Sequence, residues 1–142
     1  MSDMVGWEEW VALPDIGIER LKCKVDTGAK NSALHAFEVD AFQKDEQNWV
    51  RFSIHTDEHD LSKVQVGEAL IQDIRCVTDS GGNITERYFI ETTLEIGDLR
   101  LSVPVSLTSR DTMAFKMLLG RTALRKAGLI VDPSQSFLQG KK

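Results

Sequence analysis

Cysteine and proline are scarce in this chain of 142 residues, which has two cysteines and three prolines. Neither cysteine belongs to a Cys-x-x-Cys pair or to a Cys/His spacing that fits a zinc finger. Cys23 and Cys76 lie among apolar neighbours, which favours their interpretation as small buried side chains and leaves a disulfide between them open. The sequence therefore requires neither a disulfide scaffold nor a cysteine-bound zinc ion.

Long apolar runs, low-complexity segments and a surplus of positive charge are missing as well. No stretch approaches about 18 consecutive apolar residues, and the acidic segment 1–10 lacks the apolar core of a secretory signal. The formal net charge is −5, which disfavours non-specific binding to nucleic acid or to an anionic membrane. We therefore expect a single domain over residues 1–142 in a reducing cytoplasm, with no direct nucleic-acid partner and no membrane partner.

What the chain does have is alternation of apolar and polar residues, the period of a β-strand. The predicted strands are 18–25, 49–55, 64–78, 84–96, 99–107 and 129–131, with a break near Gly67. Gly97 and Asp98 form a predicted tight hairpin, residues 79–83 a turn, and Pro104 indicates an unpaired side of its strand. One short helix is predicted over 121–127 and ends at Gly128. About six to eight strands of this kind predict an all-β domain, either a small barrel or a sandwich.

The strongest chemical signal is Asp26-Thr27-Gly28, which directly follows the predicted strand 18–25. The acid lies at the end of the strand, Thr27 brings a hydroxyl, and Gly28 permits a tight turn. Three common residues are equally compatible with an ordinary turn closed by an Asx-type hydrogen bond. On its own, the tripeptide leaves a catalytic acid and a structural turn both open.

A second segment, far downstream, bears on that choice. Leu118-Leu119-Gly120-Arg121 is an apolar strand that ends in a Gly-Arg turn before the predicted helix. Together with Val25-Asp26-Thr27-Gly28-Ala29, it resembles the two halves of the active-site signature of retropepsins, the single-domain aspartic peptidases typified by retroviral proteases. The resemblance implies a small closed β-barrel with one short C-terminal helix. It also implies a catalytic loop formed by Asp26, Thr27 and Gly28.

Over nearly its whole length the chain is also similar to a bacterial family labelled ATP-dependent zinc proteases and now regarded as retropepsin-like. The segments that carry this similarity are Trp10-Val11-Ala12-Leu13-Pro14, Lys24-Val25-Asp26-Thr27-Gly28-Ala29, Ser32-Ala33-Leu34-His35-Ala36, Leu118-Leu119-Gly120-Arg121 and Val131-Asp132-Pro133. Members are associated with the enzyme that adds glutamates to the C-terminus of a small-subunit ribosomal protein. The similarity implies a cytoplasmic peptidase that processes acidic or glutamylated protein tails, with a glutamate-ligase enzyme as a partner.

Hydrolysis by an aspartic peptidase needs two neighbouring carboxylates, one ionised to activate water and one protonated to polarise the peptide carbonyl. The chain contains a single Asp-Thr-Gly. Asp79-Ser80-Gly81 is better explained as a turn, because no apolar-apolar-Gly segment follows it in a second lobe and the chain is too short for two lobes. We therefore expect a homodimer in which a two-fold axis brings the two Asp26 carboxylates together, with no cofactor and no metal ion.

Substrate binding is predicted for four residues near this loop, which are Ala29, Lys30, Arg121 and His35. In retroviral enzymes the position of Lys30 carries an acid that pairs with the arginine of the Gly-Arg turn. Two cations repel each other unless anions lie between them, so Lys30 and Arg121 are candidates for binding glutamate side chains or a terminal carboxylate. The alternative, in which Arg121 pairs with Asp111 or Asp132 and Lys30 points to solvent, stays open.

The three histidines form no His-Glu-x-x-His motif, and no glycine-rich phosphate loop occurs, so neither zinc nor ATP binding is predicted. His55 and His59 have the spacing to share a metal ion only if the segment is helical, and the acids between them favour a solvated loop. His35 either lines the cleft or is a packing residue. The segments 37–60 and 79–87 are alternative candidates for a flap over the substrate.

Two other functions stay open for this sequence. A retropepsin-like barrel could hold an acidic peptide tail and regulate a glutamate ligase without cutting the tail. A metallohydrolase could instead use His55, His59 and nearby acids. Activity that survives Asp26→Asn and is lost to a chelator would favour the metallohydrolase.

Overall fold

The computed structural model of the protein describes residues 3–57, 59–60, 62–78, 81–108 and 115–139. Its strands are β1 (Met4–Val5), β2 (Glu8–Leu13), β3 (Ile18–Val25), β4 (Ser32–His35), β5 (Phe37–Lys44), β6 (Gln47–His55), β7 (Val64–Thr78), β8 (Ile84–Ile96), β9 (Leu99–Thr108), β10 (Met117–Leu119) and β11 (Ile130–Val131). The helical elements are a 3₁₀ turn at Pro14–Ile16 and the helix α1 (Arg121–Ala127). The predicted all-β class with one short helix is confirmed.

Six strands form a closed barrel in the order β2-β3-β10-β4-β9-β8. The ring closes where Ala12 of β2 pairs with Glu95 of β8. The pairs β3–β10 and β4–β9 are parallel, and the remaining pairs of the ring are antiparallel. Of the two predicted architectures, the barrel is therefore the one observed.

The alternation that predicted the strands also determines which side chains are buried. In β3, Leu21, Cys23 and Val25 face the core, whereas Lys24 is exposed. The predicted bounds of β3, β7, β8 and α1 match the observed ones. Burial, and after it the negative charge of Glu9, raises the pKa of the Cys23 thiol to about 12. Cys23 is thus an inert core side chain.

The strands β7, β6 and β5 continue the sheet from β8 beyond the barrel. The inner residues of β6 are buried as predicted, whereas the described side chains of β7 after Ile71 and of β8 before Arg87 are exposed. Cys76 lies in this outer part of the β7–β8 hairpin and is exposed, so its predicted burial was wrong. The reason is that both faces of the hairpin meet solvent there. Both cysteines are free.

The predicted break near Gly67 was also wrong. The register irregularity of β7 lies between Ile71 and Asp73, and Gly67 pairs regularly with Phe52. A Cβ atom at Gly67 would lie 2.4 Å from a methyl carbon of Ile16. This glycine therefore serves close packing of β7 on the 3₁₀ turn rather than a bulge.

Pro104 lies in a strand that has neighbours on both sides, so β9 is not an edge strand. Its pairing with β4 begins at Val105, one residue after the proline. The missing N–H therefore costs no ladder hydrogen bond on that side. The predicted unpaired side is thus present at Pro104 itself but not along the rest of β9. The strands β1, β2, β4 and β5 were not predicted, and with them the described strands number eleven, more than the six to eight expected.

The two ends of the described chain are held together at a buried carboxylate. Glu9 is fully buried and accepts hydrogen bonds from the backbone N–H groups of Gly6 (2.7 Å), Leu138 (2.9 Å) and Gln139 (3.0 Å). β1 and β11 pair in parallel beside it. A buried charge is tolerated when several donors replace its water, so Glu9 fastens the C-terminal segment to β2.

The helix α1 begins after Gly120 and ends at Gly128, which has a left-handed φ of 68°. The predicted C-terminal stop is thus confirmed, because a residue without Cβ adopts this conformation at low cost. Within the described ranges, no helix is both long and apolar enough to cross a membrane.

Candidate active site at the Asp26 loop

Asp26 directly follows β3, and two backbone hydrogen bonds fix its position. The Val25 N–H donates to the Trp7 carbonyl (2.8 Å), and the Asp26 N–H donates to the Leu119 carbonyl (2.9 Å). The second bond continues the parallel pairing of β3 with β10, in which Val25 lies opposite Leu119. The barrel wall therefore holds the acid at the point where β3 ends.

The turn after Asp26 orients its carboxylate. The Gly28 N–H donates to Asp26 Oδ1 (3.0 Å), and the Ala29 N–H donates to the Asp26 carbonyl (3.2 Å). A Cβ atom at Gly28 would lie 3.2 Å from Oδ1, closer than ordinary contact. Among the residues that the structure describes, none donates to Oδ2 of Asp26. The backbone of the loop thus holds one of the two carboxylate oxygens in a fixed direction.

The Gly120–Arg121 turn meets this loop, as the two halves of the motif imply. The Arg121 N–H donates to the Ala29 carbonyl (2.8 Å) and the Thr122 N–H to the Lys30 carbonyl (3.1 Å). The Thr122 hydroxyl donates to the same Lys30 carbonyl (2.8 Å), and the Arg121 guanidinium donates to the Thr27 carbonyl (3.1 Å). Residues more than 90 positions apart therefore form one rigid loop pair.

Gly120 lies at the closest point between the two segments. Its N–H donates to the buried Ser32 hydroxyl (3.0 Å), and a Cβ atom there would lie 2.5 Å from the backbone carbon of Asn31. No side chain larger than hydrogen fits without a backbone shift. Ser32 belongs to one of the family-like segments, but its sequence position predicts no role, because only the fold brings its hydroxyl to Gly120.

Most of the predicted site residues are brought together at the surface of the barrel. Thr27, Gly28 and Lys30 are exposed, and Asp26 and Ala29 are half-buried. Arg121 joins them through its bond to Thr27. The acid is therefore accessible to a substrate or to another protein surface.

His35 is the predicted site residue that the fold does not bring to the loop. It is 4% exposed, and its Nδ1 lies 2.5 Å from the Thr108 hydroxyl oxygen. It ends β4, three residues after Ser32, so about 10 Å of strand separates it from the Gly120 contact. This placement favours the packing alternative for His35.

The structure bears on the predicted alternative in which Arg121 pairs with Asp111 or Asp132. Among the described residues, Arg121 forms no ion pair. Asp132 instead accepts hydrogen bonds from the Ser134 hydroxyl (2.6 Å) and N–H (3.0 Å), which hold the pKa of its carboxyl below the usual range. Asp111, the other candidate partner of Arg121, lies outside the described residues.

The histidine pair does not have the helical geometry that metal binding at i, i+4 spacing requires. His55 ends β6, and its ring stacks on Phe37 with centroids 4.3 Å apart. His59 is exposed in a turn, where its N–H donates to Asp57 (2.9 Å). In the described ranges, no three His, Cys, Asp or Glu side chains are grouped to hold a metal ion.

Several curated proteins are similar in sequence to this chain. Proteins named "Probable alpha-L-glutamate ligase" are similar to this chain, with 37% identity over 145 residues in Shewanella halifaxensis (strain HAW-EB4) and 39% over 137 residues in Parasynechococcus marenigrum (strain WH8102). The alignments cover 100% and 96% of this chain but only 31% and 29% of those proteins. The chain thus spans about a third of the length of these curated relatives.

A solved structure and a family model cover the chain almost completely. The crystal structure of a protein with unknown function from Legionella pneumophila superposes with a TM-score of 0.82 at 25% identity, covering 98% of this chain and 99% of that one. The model of the RimB-like family, described as "Retropepsin-like aspartic endopeptidase RimB", matches residues 4–142. This chain therefore belongs to the RimB-like family of retropepsin-like aspartic endopeptidases.

Proposed function

We propose that this protein is a homodimeric aspartic peptidase in which each subunit supplies one Asp26 carboxylate to a shared catalytic pair. The observation that carries the proposal is the fixed Asp26 loop, in which the backbone holds Oδ1 and leaves Oδ2 for a ligand. Membership of an aspartic endopeptidase family supports the same chemistry. The proposed setting is the cytoplasm.

The mechanism needs the two carboxylates in different protonation states. Close carboxylates share one proton because two like charges at short distance repel. The ionised member accepts a proton from a water molecule, which attacks the peptide carbonyl carbon. The protonated member donates a hydrogen bond to the carbonyl oxygen and stabilises the negative charge that develops there.

Each neighbour of Asp26 has a distinct task in this proposal. Gly28 keeps the carboxylate orientation through its N–H and leaves room around Oδ1. Arg121 holds the loop through the Thr27 carbonyl, so the positions of Thr27 and Asp26 do not depend on the substrate. The exposed loop leaves space for a second copy of itself across a two-fold axis.

The substrate class that we propose is an acidic or glutamylated protein tail. Two cations lie at the Asp26 loop, since Lys30 is exposed and Arg121 is bound to Thr27. Carboxylates beside these side chains would offset their mutual repulsion. The relatives named as glutamate ligases agree with a substrate made of glutamate residues, and they make such a ligase a proposed partner.

The decisive experiment is replacement of Asp26 by Asn in the full chain. Asn keeps the size and the hydrogen bond to Gly28 but cannot share a proton, so we expect hydrolysis to fall at least about a thousandfold. The measurement is mass spectrometry of a peptide with a glutamate tail. Asp98→Asn, in the exposed β8–β9 turn, is the matched control and should cleave at the wild-type rate.

Wild-type hydrolysis by a correctly folded Asp26→Asn dimer would disprove the proposed mechanism. The melting temperature and the sedimentation profile of the variant establish that its fold and assembly are unchanged. Loss of hydrolysis by a folded, dimeric variant would therefore reflect the missing carboxylate rather than unfolding or dissociation.

A second candidate function is a non-catalytic module that binds an acidic tail and regulates a glutamate ligase. The observation that favours it is the length of the curated relatives, in which the matching segment is about 31% of a protein named as a ligase. Such a module would bind the glutamate peptide with equal affinity before and after Asp26→Asn, and neither form would release a shorter product.

A further inference from the structure

Glu9 interrupts the apolar inward face of β2 with a charge. Glu9, Val11 and Leu13 share this face, and each has an exposed fraction of 0%. An apolar side chain at such a position often stabilises a core as well as a charged one does, because burial removes the water of the carboxylate. A charge that breaks the local pattern of a strand is expected where a residue has a task beyond packing.

The donors that Glu9 brings together indicate this task. The N–H groups of Gly6 and Leu138 donate to Oε2, and the Gln139 N–H donates to Oε1. Gly6 precedes β2, whereas Leu138 and Gln139 follow Glu9 by 129 and 130 positions. Glu9 therefore clamps the start of β2 to the C-terminal segment, which we define here as residues 135–139.

The backbone that is clamped in this way leads to the Asp26 loop. The Trp7 N–H donates to the Gln135 carbonyl (2.8 Å), and the Trp7 carbonyl accepts the N–H of Val25 (2.8 Å). Val25 is the residue immediately before Asp26. The peptide groups of Trp7 thus lie between the C-terminal segment and the end of β3, which presents the candidate catalytic acid.

The C-terminal segment is packed tightly against the start of β2. A Cβ atom at Gly6 would overlap the Gln135 carbonyl. The Phe137 N–H donates to the Glu8 carbonyl (3.0 Å), and the Phe137 ring stacks on Trp10 with centroids 5.7 Å apart. Phe137 has a left-handed φ of 54°, which a bulky residue keeps only when surrounding contacts hold it. The segment is therefore a constrained support rather than a loose end.

We propose that Glu9 is a positioning residue for the catalytic acid, acting through the C-terminal segment and Trp7 on the backbone of Val25 and Asp26. The inference rests on the proposed function, because a shared carboxylate pair needs each acid held within about 0.5 Å. β10 supports the loop from the other side, where the Leu119 carbonyl accepts the Asp26 N–H (2.9 Å). Loss of the Glu9 clamp leaves β10 as the remaining support and lets the carboxylate move out of line.

The test introduces Glu9→Gln into the full chain, which keeps the size of the side chain but removes its charge and one acceptor oxygen. The first measurement is hydrogen exchange of the Gly28 N–H, followed by NMR. This N–H donates to Asp26 Oδ1 and Gly28 is exposed, so its exchange occurs by local opening and reports the loop rather than global stability. We expect exchange about fivefold faster than in the wild-type chain.

The second measurement is the kinetics of hydrolysis of a peptide with a glutamate tail. In Glu9→Gln, kcat should fall about tenfold while KM changes less than about twofold, because misalignment of the acids affects the transition state more than peptide binding. Asp15→Asn is the matched control, since Asp15 also accepts a backbone N–H but lies at the opposite end of β3 from Asp26. It should change neither kcat nor the Gly28 exchange rate by more than about 1.5-fold.

Phe137→Pro releases the C-terminal segment without changing Glu9. Proline cannot adopt a φ of 54° and has no N–H for the Glu8 carbonyl, so the segment has to leave β2. We expect the same faster exchange of Gly28 and the same fall in kcat as for Glu9→Gln. This variant decides the question if Glu9→Gln does not fold, because the released Glu9 carboxylate regains water.

Three results would overturn the positioning role. The first is a wild-type exchange rate of Gly28 or a wild-type kcat in Phe137→Pro and Glu9→Gln. The second is an equal change in Asp15→Asn, which would indicate a general loss of stability. The third is a fall in kcat that accompanies dissociation of the dimer in sedimentation, which would assign the effect to assembly.

Exchange and hydrolysis together separate this inference from the proposed function. Hydrolysis that depends on Asp26 but not on Glu9 or Phe137 would leave the peptidase proposal standing and remove the positioning role. Faster Gly28 exchange in both variants, with no hydrolysis by the wild-type chain, would retain Glu9 as a support of the Asp26 loop and remove the peptidase proposal.

Discussion

At the residue scale, the Asp26 loop forms the structural turn that the sequence allowed, and its geometry is compatible with the catalytic role that stays a prediction. The Asx-type hydrogen bond to Gly28 is the structural turn, and it also fixes the direction of the carboxylate. The turn therefore also supplies the fixed carboxylate orientation that the proposed catalysis needs. The tripeptide alone was ambiguous because the residue whose carbonyl accepts the Asp26 N–H, Leu119, lies 93 positions away in sequence.

Gly120 gives the first residue-scale prediction. Gly120→Ala places a Cβ atom 2.5 Å from a backbone carbon of Asn31, which only a backbone shift relieves. Its φ of −86° is accessible to alanine, so the effect is steric. We expect a loss of about 2–3 kcal/mol in the free energy of unfolding and a fall of about 8 °C in the melting temperature, measured by calorimetry. A melting temperature within about one degree of wild type would contradict the contact.

At the element scale, the 3₁₀ turn at Pro14–Ile16 connects neighbouring strands and also bridges to the barrel wall. Asp15 Oδ2 accepts hydrogen bonds from the Thr93 hydroxyl (2.7 Å) and the Thr93 N–H (3.0 Å) on β8. These two bonds hold the pKa of the Asp15 carboxyl below its usual range, and the bond from the Thr93 hydroxyl has the larger effect. The closed ring is thus fastened near its β2–β8 junction.

This contact predicts a pH-dependent stability difference. Because the pKa of Asp15 is lower in the folded protein than in the unfolded chain, the ionised carboxylate stabilises the fold at any pH above the unfolded-state pKa of about 3.9. This stabilisation is lost as the pH falls through the lower pKa of the folded state. Asp15→Asn should therefore destabilise the protein by about 0.5–1 kcal/mol at pH 7, a figure reduced for exposure. Urea titrations at pH 7 and pH 3 should show this difference shrinking at the lower pH. A pH-independent difference would exclude the charge as its origin.

Elements with regular alternation could be predicted from sequence with good bounds. β3 and β8 alternate over long stretches, so the buried face and the ends are both encoded locally. β4 could not be found in this way, because its four residues are all buried between β10 and β9. The irregularity of β7 could not be located either, since it depends on pairing with β8 rather than on Gly67.

At the scale of the whole molecule, one accessible Asp-Thr-Gly loop per chain is half of the catalytic pair that we propose. The loop's rigidity comes from the barrel through β10 and the start of α1, so each subunit would present a preformed half-site. In this proposal, assembly of the dimer governs the rate of hydrolysis.

A mixing experiment tests the shared pair. Asp26→Asn subunits added in about fourfold excess should lower activity per wild-type subunit to about a fifth after subunit exchange, because mixed dimers have only one carboxylate. Peptide hydrolysis followed by mass spectrometry is the measurement, with the Asp98→Asn chain added in the same excess as the control. Undiminished activity per wild-type subunit, in a mixture shown to exchange, would indicate that one chain suffices.

The sequence by itself determined the all-β class, the bounds of β3, β7 and β8, the short helix and the two motif halves, because alternation, turn residues and short motifs are local properties of the chain. Only the tertiary structure decided that Ser32 contacts Gly120, that His35 is buried beside Thr108, and that Glu9 holds the chain ends. The contacts of Ser32 with Gly120, of His35 with Thr108 and of Glu9 with the C-terminal segment join residues separated by 73 to 130 positions. Closure of the barrel, rather than any local preference, brings such residues together.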